Sequence, residues 1–218
     1  MDFTQARFNM VEQQIRPWDV LDFDLLDALG EVPRERFVLP AQQGVAYTDE
    51  VLKLANGGSM LEPRLVARLI QALSLTQEDT VLEIGTGSGY AAAVMAKLAG
   101  KVVSVDVDAQ QSAFAQQAVS GLVDNIEFQV ADGLSGQLKG TTQFNAIYVG
   151  GSVPVLPHTL KDMLADGGRL VVIVGQGHLM QATLVVRRGS EYSETVLFET
   201  SAPALTSPAV ATPSAFSF

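Results

Sequence analysis

Near its centre this 218-residue chain reads Val81-Leu82-Glu83-Ile84-Gly85-Thr86-Gly87-Ser88-Gly89-Tyr90. The first four residues are largely apolar, as in a buried strand, and a helical pattern begins at Tyr90. Three glycines alternate in between, at positions where a side chain would keep a ligand away from the backbone at the carboxyl end of the strand. The sequence therefore predicts a strand, a ligand-binding turn and a helix.

Short strand patterns and helical patterns alternate on both sides of this turn. Near-continuous apolar strands separated by helices are typical of a parallel sheet covered on both faces. We therefore predict an α/β fold with a doubly wound, mostly parallel, Rossmann-like sheet and helices on both faces. The predicted strands are residues 80–84, 102–106, 126–130, 146–149 and 170–174, and the predicted helices are residues 90–98, 109–120 and 156–164.

The segments around this core have a different character. Residues 1–62 combine short helical patterns with loops and are expected to form an N-terminal helical extension packed on the core, while residues 63–200 form the α/β domain. At the end of that domain, residues 182–187 and 194–199 flank a turn and predict a C-terminal β-hairpin at the edge of the sheet.

Residues 201–218 form a tail without charge that is rich in Ala, Pro, Ser and Thr. Such a composition is typical of a flexible segment. We nevertheless expect Leu205, Val210, Phe216 or Phe218 to dock on an apolar surface of this chain or of a neighbour. The tail could thereby join two copies in a homo-oligomer.

Composition and charge exclude several classes of function. The chain has 24 Asp and Glu against 14 Lys and Arg, a net charge of −10, which disfavours a nucleic-acid partner. It has no cysteine, and its only histidines are His158 and His178, both expected at the surface or in a loop, which excludes thiolate and His-rich metal sites. An all-carboxylate metal site is left open but has no recognisable spacing, so no metal site is predicted. No apolar run reaches the roughly 20 residues that span a bilayer, and the first residues lack a signal-peptide pattern. We expect a soluble, cytoplasmic protein with no membrane partner.

The glycine turn and the residues around it indicate the kind of ligand. The third glycine comes one residue earlier than in the dinucleotide-binding fingerprint, and no Gly-Lys-Ser/Thr follows, which excludes a P-loop. Glu83 would repel a phosphate but suits a ligand that bears an ammonium group. Asp106 ends the second strand, where a carboxylate can accept both ribose hydroxyls. Asp132-Gly133 follows the third strand, where a carboxylate can accept from an adenine amino group.

Amino acid, ribose and adenine are the three parts of S-adenosylmethionine, so the three carboxylates predict a site for this cofactor. Two of them also have simpler interpretations. Asp106 could cap the following helix, and Asp132-Gly133 could be an ordinary Asx turn. The run Glu83 to Gly89 resembles motif I of the class I methyltransferases, which favours the cofactor interpretation and assigns residues 63–200 to a class I methyltransferase domain.

Beyond the glycine turn, the chain resembles the protein-L-isoaspartate O-methyltransferase family over residues 7 to 200. The resemblance implies S-adenosylmethionine as cofactor, S-adenosylhomocysteine as product, and isoaspartyl-containing proteins or peptides as substrates for repair. It is carried by residues 10–16 (Met-Val-Glu-Gln-Gln-Ile-Arg), 32–38 (Val-Pro-Arg-Glu-Arg-Phe-Val), 46–49 (Ala-Tyr-Thr-Asp), a loop ending in Pro63, residues 82–90, 132–133, 144–150 and 167–171.

One departure from the family concerns the acceptor. The family's signature loop resembles Gly-Gln-Thr-Ile-Ser-Gln-Pro, and the corresponding residues here are Gly57-Gly58-Ser59-Met60-Leu61-Glu62-Pro63. The hydroxyl residue to which the family assigns a catalytic or substrate-positioning role falls on Leu61, which cannot hydrogen-bond a carboxylate. Ser59 takes the place of the threonine and is the candidate catalytic residue. The resemblance implies cofactor contacts from Ser59, Glu83, Gly85, Thr86, Gly87, Ser88, Gly89, Asp106, Val107, Asp132 and Gly133.

The departure leaves other functions open. The chain could methylate a different acceptor, such as a small carboxylate, or it could bind the cofactor or a partner without catalysis. Arg64, or the pair Arg34 and Arg36, could attract an acidic acceptor in place of the lost hydroxyl. Arg34 and Arg36 could equally be surface or anchoring residues.

Overall fold

A seven-stranded sheet forms the centre of the molecule in the computed structural model, which describes residues 2–135, 138 and 143–208. Its strand order is β5-β4-β3-β6-β7-β8-β9, and β1 and β2 form a separate antiparallel pair. The strands are β1 Leu52–Lys53, β2 Ser59–Met60, β3 Thr80–Ile84, β4 Lys101–Asp106, β5 Ile126–Val130, β6 Phe144–Val153, β7 Leu164–Gln176, β8 Leu179–Arg188 and β9 Glu191–Thr200.

The first four pairings in this order are parallel, and the last two, β7 with β8 and β8 with β9, are antiparallel. β3 pairs in parallel with both β4 and β6, while β7, β8 and β9 form an antiparallel meander. The predictions of a mostly parallel sheet and of an edge hairpin are therefore confirmed. Because the chain leaves β3 first toward β4 and only later toward β6, the strand order reverses beside β3, and ligands of such sheets bind at that point, outside the carboxyl ends of the strands.

Helices cover the sheet, and local signals set several of their ends. Pro63 occupies the first turn of α3, and Asp108 caps α5 by accepting from the backbone N–H groups of Gln110 and Gln111. The α-helices are α1 Phe3–Asn9, α2 Phe23–Glu31, α3 Pro63–Leu73, α4 Tyr90–Leu98, α5 Ala109–Val119 and α6 His158–Asp162. A π-helix, Met10–Ile15, continues α1.

Alternate residues of the central strands supply two hydrophobic cores, one on each face of the sheet. In β6, Ala146 and Tyr148 belong to one core while Ile147 and Val149 belong to the other. The first core also contains side chains of α2 and α3 and of the π-helix. The N-terminal residues thus share a core with the sheet, and the division of the chain at residue 62 stays a prediction.

Several predicted boundaries differ from the structure. The helix expected at residues 156–164 is shorter, because Leu164 pairs with Phe144 as the first residue of β7. β6 and β7 extend beyond the predicted 146–149 and 170–174, and irregularities in their pairing absorb the extra residues. Among the described residues, no helix has the length and apolar character needed to cross a membrane.

The tail returns to the body of its own chain after β9. Ala202 is buried, and Leu205 packs against the second core. Docking of Leu205 on an apolar surface is therefore confirmed. Val210, Phe216 and Phe218 lie outside the described residues, and the proposed role of the tail in a homo-oligomer stays a prediction.

Candidate cofactor and acceptor site

The glycine turn leaves β3 with three backbone conformations that favour glycine. Gly85, Gly87 and Gly89 have φ values of 86°, 51° and 83°. A Cβ on Gly89 would lie 2.8 Å from the Cβ of Ala115 in α5, so this glycine allows two helices to pack closely. Gly85 and Gly87 instead face a cavity, and the predicted cofactor contact of Gly89 is not among its lining residues.

This main cavity has a volume of about 440 Å³ and opens along the carboxyl ends of β3, β4 and β5. It lies where the strand order reverses, as expected for a ligand of this fold. Seven of the eleven predicted cofactor residues line it, namely Ser59, Gly85, Gly87, Asp106, Val107, Asp132 and Gly133.

A smaller inner cavity of about 30 Å³ adjoins the main cavity and shares five lining residues with it. Three further predicted residues, Glu83, Thr86 and Ser88, line this inner cavity. The two cavities together therefore collect all predicted cofactor residues except Gly89.

Glu83 is the most unusual of these residues, because its carboxyl group is buried. Ser104 donates a hydrogen bond to its Oε2, while its Oε1 has no hydrogen-bond partner among the described residues. Burial raises the pKa of Glu83 to about 8; repulsion from Asp106 adds to the shift, and the Ser104 hydrogen bond and the backbone N–H of Ala92 partly offset it. An unsatisfied buried carboxyl oxygen beside a cavity fits a ligand that brings an ammonium group.

Asp106 holds the glycine turn from the end of β4. Its Oδ2 accepts from the backbone N–H of Gly87 at 3.0 Å, and its Oδ1 accepts from that of Asp108 at 3.0 Å. The interpretation of Asp106 as a helix cap is wrong, because Asp108 caps α5. Asp106 instead lines the main cavity. Two backbone N–H groups orient its carboxylate, as is needed for a carboxylate that accepts hydrogen bonds from ribose hydroxyls.

Asp132 and Gly133 lie beyond the end of β5. The backbone N–H of Leu134 donates to Asp132 Oδ1 at 3.0 Å, which is the Asx turn considered as the simpler interpretation. Both residues also line the main cavity, so the turn and the predicted site coexist. A Cβ on Gly133 would lie 2.8 Å from Cγ2 of Ile84, so glycine is needed for the chain to pass the end of β3.

The acceptor side of the main cavity is formed by the loop before α3. Ser59 and Leu61 line both cavities, and Leu61 is only 5% exposed. Lys53 Nζ donates to the Ser59 hydroxyl at 3.3 Å. The residue that the resemblance places at the family's hydroxyl position therefore lies in the site itself, as an apolar part of its wall.

The three arginines proposed to attract an acceptor lie elsewhere. Arg34 is fully buried and donates to the backbone carbonyls of Ala46 and Leu61, both at 2.8 Å, so it anchors the acceptor loop. Arg36 donates to the carbonyl of Ser120 at 3.0 Å. Neither side chain lines the main cavity.

Arg64 contacts a separate cavity of about 380 Å³, which we call the arginine cavity and which is also lined by Arg68, Trp18 and Phe198. Arg64 pairs with Asp49 at 2.8 Å and stacks on the ring of Trp18. The main cavity does not include it. The structure thus separates Arg64 from the predicted site.

Sequence reasoning missed the opposite wall of the main cavity. It is formed by Gly150 and Gly151 of β6 and by tail residues 203–206. A Cβ on Gly150 would lie 2.8 Å from the carbonyl oxygen of Gly85, which explains a glycine at this point. The pair of glycines at the end of the fourth predicted strand was the one available signal, whereas the path of the tail had none.

Comparison with known proteins shows which sequences resemble this chain. The family model for protein-L-isoaspartate(D-aspartate) O-methyltransferase matches residues 6–202. A protein-L-isoaspartate O-methyltransferase from Roseiflexus castenholzii is 39% identical over 189 residues, covering 86% of this chain and 85% of the relative. One from Herpetosiphon aurantiacus is 38% identical over 197 residues, covering 88% and 86%.

Solved structures of the same kind share the fold. A beta-aspartate methyltransferase (PCMT) from Plasmodium falciparum, solved in complex with S-adenosyl-L-homocysteine, has a TM-score of 0.78 and 19% identity and covers 94% of this chain and 99% of its own. A second protein-L-isoaspartate O-methyltransferase has a TM-score of 0.77 and 25% identity, covering 93% of this chain and 65% of its own. The family model and the sequence relatives show that this chain belongs to the protein-L-isoaspartate O-methyltransferase family.

Proposed function

We propose that the chain is an S-adenosylmethionine-dependent O-methyltransferase that methylates the carboxylate of isoaspartyl residues in proteins or peptides and releases S-adenosylhomocysteine. The observation that carries the proposal is the cavity at the strand ends, where the glycine turn and the carboxyl groups of Glu83, Asp106 and Asp132 come together. Membership of the family supports the same activity and a role in protein repair.

Each of the three acidic residues would bind a different part of the cofactor. Glu83 would receive the ammonium group through its unsatisfied Oε1, Asp106 the ribose hydroxyls, and Asp132 the adenine amino group. Gly85 and Gly87 allow close approach to the backbone, since they add no side chain to the cavity wall. When bound, S-adenosylmethionine supplies an electrophilic methyl group on a sulfonium.

The acceptor needs little chemical activation from the chain. A carboxyl group with a pKa near 4 is ionised at pH 7, so no general base is required. The protein's contribution is to align the carboxylate and to exclude water, which is worth up to about 7–11 kcal/mol when the geometry is right. Ser59 is the hydroxyl in the acceptor loop that borders both cavities, and we assign it to acceptor positioning.

Leu61 favours a second candidate function. Its buried side chain stands where the family has a hydroxyl residue and makes that part of the wall apolar. A site of this kind favours methylation of a different acceptor, such as a small carboxylate, or binding of the cofactor without turnover. Cofactor binding is common to both candidates, and only the acceptor separates them.

A methyl-transfer assay on an isoaspartyl peptide, run beside calorimetry with S-adenosylhomocysteine, tests the proposal. Binding together with turnover supports isoaspartyl methylation. Binding without turnover on the peptide favours the second candidate, and absence of binding contradicts both. The same peptide with a normal aspartyl residue is the matched control, because it differs only in the position of the acceptor carboxylate.

The remaining expectations stay predictions. We infer from composition that the protein is cytoplasmic and has no nucleic-acid or membrane partner. We infer from the apolar residues of the tail that it could form a homo-oligomer. The net charge of −10 supports the expectation about nucleic acid, because a polyanion is repelled by an acidic surface.

A further inference from the structure

The tail is attached to the end of β6 by backbone hydrogen bonds. The N–H of Ser152 donates to the carbonyl of Pro203 at 2.9 Å, and the N–H of Leu205 donates to the carbonyl of Ser152 at 2.9 Å. The hydroxyl of Ser152 donates to the carbonyl of Ala202 at 2.9 Å. These contacts extend the sheet by a parallel bridge between Ser152 and Ala204, so the tail has a defined course along the strand ends.

Leu205 continues this attachment through side-chain packing. A Cβ on Gly151 would lie 3.0 Å from Leu205 Cγ, and one on Gly85 would lie 2.6 Å from Leu205 Cδ2. A side chain at either glycine would therefore crowd the leucine in its present position. Residues 203–206 become a wall of the main cavity opposite the acceptor loop, and they leave its volume of about 440 Å³ open.

Ser207 follows directly after this wall and contacts Asp132, one of the predicted cofactor residues. Its hydroxyl lies 2.9 Å from Oδ1 and 2.8 Å from Oδ2 of Asp132, so a single proton is shared by both carboxylate oxygens. The backbone N–H of Leu134 holds Oδ1 from another direction. Contacts from two separate segments thus fix the plane of the Asp132 carboxylate beside the cavity.

We propose that residues 203–207 complete the adenine end of the cofactor pocket and that Ser207 is a positioning residue, which orients Asp132 toward the exocyclic amino group of the adenine. The inference rests on the proposed function, since it takes the ligand of Asp132 to be the adenine. A carboxylate held in one orientation binds an amino group in preference to a carbonyl group. A carbonyl would place the lone pair of its own oxygen against a lone pair of the carboxylate. Without Ser207 the carboxylate gains rotational freedom and distinguishes the two less well.

Calorimetry with two ligands tests this assignment. S-adenosylhomocysteine carries the amino group, and S-inosylhomocysteine carries a carbonyl in its place. We expect the wild-type chain to bind the first at least ~10-fold more tightly. Ser207→Ala should reduce this ratio of affinities about five-fold, mainly by weakening the binding of S-adenosylhomocysteine. Ser207→Thr keeps the hydroxyl and should therefore keep the wild-type ratio. Ser201→Ala, an exposed change in the same tail, is the matched control.

The outcomes separate this inference from the proposed function. If the wild type binds neither ligand, the proposed cofactor is wrong and the inference is lost with it. If the wild type distinguishes the ligands and Ser207→Ala distinguishes them equally well, the inference alone is wrong. Equal weakening of both ligands would make the tail merely structural and also overturn it. Tighter binding of S-adenosylhomocysteine by Ser207→Ala would show that Ser207 competes with the adenine for Asp132.

Discussion

The two sides of the main cavity differ in how closely they follow the family. On the cofactor side, Glu83, Asp106 and Asp132 all border the cavities at the ends of their strands. On the acceptor side, Arg34 holds the carbonyl of Leu61 in the loop before α3, but the side chain at position 61 has no polar atom. The difference teaches that most predicted cofactor contacts and the side chain that varies at the acceptor lie in separate segments of this chain, with Ser59 as the residue that both sides share.

This separation has a physical basis. The predicted cofactor contacts come mainly from strand ends and from a glycine turn whose backbone is fixed by Asp106. The predicted acceptor contacts come from side chains of one short loop, where a substitution can change the chemistry without moving the backbone. A substitution on one side should therefore alter the function of that side and leave the function of the other side unchanged.

The largest expected effect comes from Leu61→Ser. If the family's hydroxyl acts like one donor of an oxyanion hole, restoring it should raise turnover of an isoaspartyl peptide by about 10²–10³. Affinity for S-adenosylhomocysteine should stay within a factor of about two, because the cofactor contacts lie on other segments. The measurements are the methyl-transfer rate and calorimetry.

Leu61→Ala is the control for this experiment, since it removes the leucine without supplying a hydroxyl. Both variants lose packing at a buried position, so their stability is compared by thermal unfolding. Equal gains in turnover for Leu61→Ser and Leu61→Ala would show that the effect comes from the space left by the leucine and not from the hydroxyl. A wild-type chain that already turns over the peptide as fast as Leu61→Ser would show that position 61 does not limit this reaction.

Glu83→Gln tests the cofactor side. The amide has the shape of the carboxyl group but cannot become negative, so the ammonium group loses a charged partner worth about 1.5–3 kcal/mol. We expect the dissociation constant of S-adenosylhomocysteine to rise by about 10–100-fold. Glu127→Gln, an exposed change near the start of β5, is the control. Unchanged affinity in Glu83→Gln would remove Glu83 from the site.

A smaller effect is expected from pH. The raised pKa of Glu83, about 8, means that the free protein holds this group protonated at pH 7, whereas a bound ammonium group favours the carboxylate. Binding should therefore release close to one proton, and affinity should rise by about ninefold from pH 6 to pH 7. Calorimetry in buffers of different ionisation enthalpy measures the proton. The dependence should disappear in Glu83→Gln, and a flat profile in the wild type would contradict the assignment.

The smallest effect is expected from Arg64→Ala. Arg64 lines the arginine cavity and pairs with Asp49, and an ion pair with this exposure contributes at most about 1 kcal/mol. Turnover and cofactor affinity should both stay within a factor of about two. A large loss of turnover with unchanged cofactor affinity would instead show that the acceptor reaches the arginine cavity, as the sequence hypothesis for Arg64 suggested.

The sequence predicted the secondary structure around the glycine turn well because its signals are local. β3, α4 and β5 begin and end at the predicted residues, since a buried strand, a glycine turn and a helical pattern each occupy a few consecutive positions. The acidic residues followed from the rule that parallel strands end at one edge of the sheet. Gly89 is the exception, and its packing against Ala115 depends on how two helices meet.

The features that the sequence did not predict depend on contacts between distant residues. The wall formed by the tail joins Ser207 to Asp132, which is 75 residues earlier in the chain. Leu164 belongs to a strand rather than a helix because Phe144 pairs with it. The position of Arg64 is set by Trp18 and Asp49, and no local pattern indicates either partner.

The central claim is that a sulfonium nucleoside binds across the ends of β3, β4 and β5. A calorimetric titration of the wild-type chain with S-adenosylhomocysteine tests it most directly. We predict one ligand per chain with a dissociation constant in the micromolar range, about −8 kcal/mol of binding free energy at 1 μM. Absence of binding at millimolar ligand, in a sample shown to be folded, would contradict it.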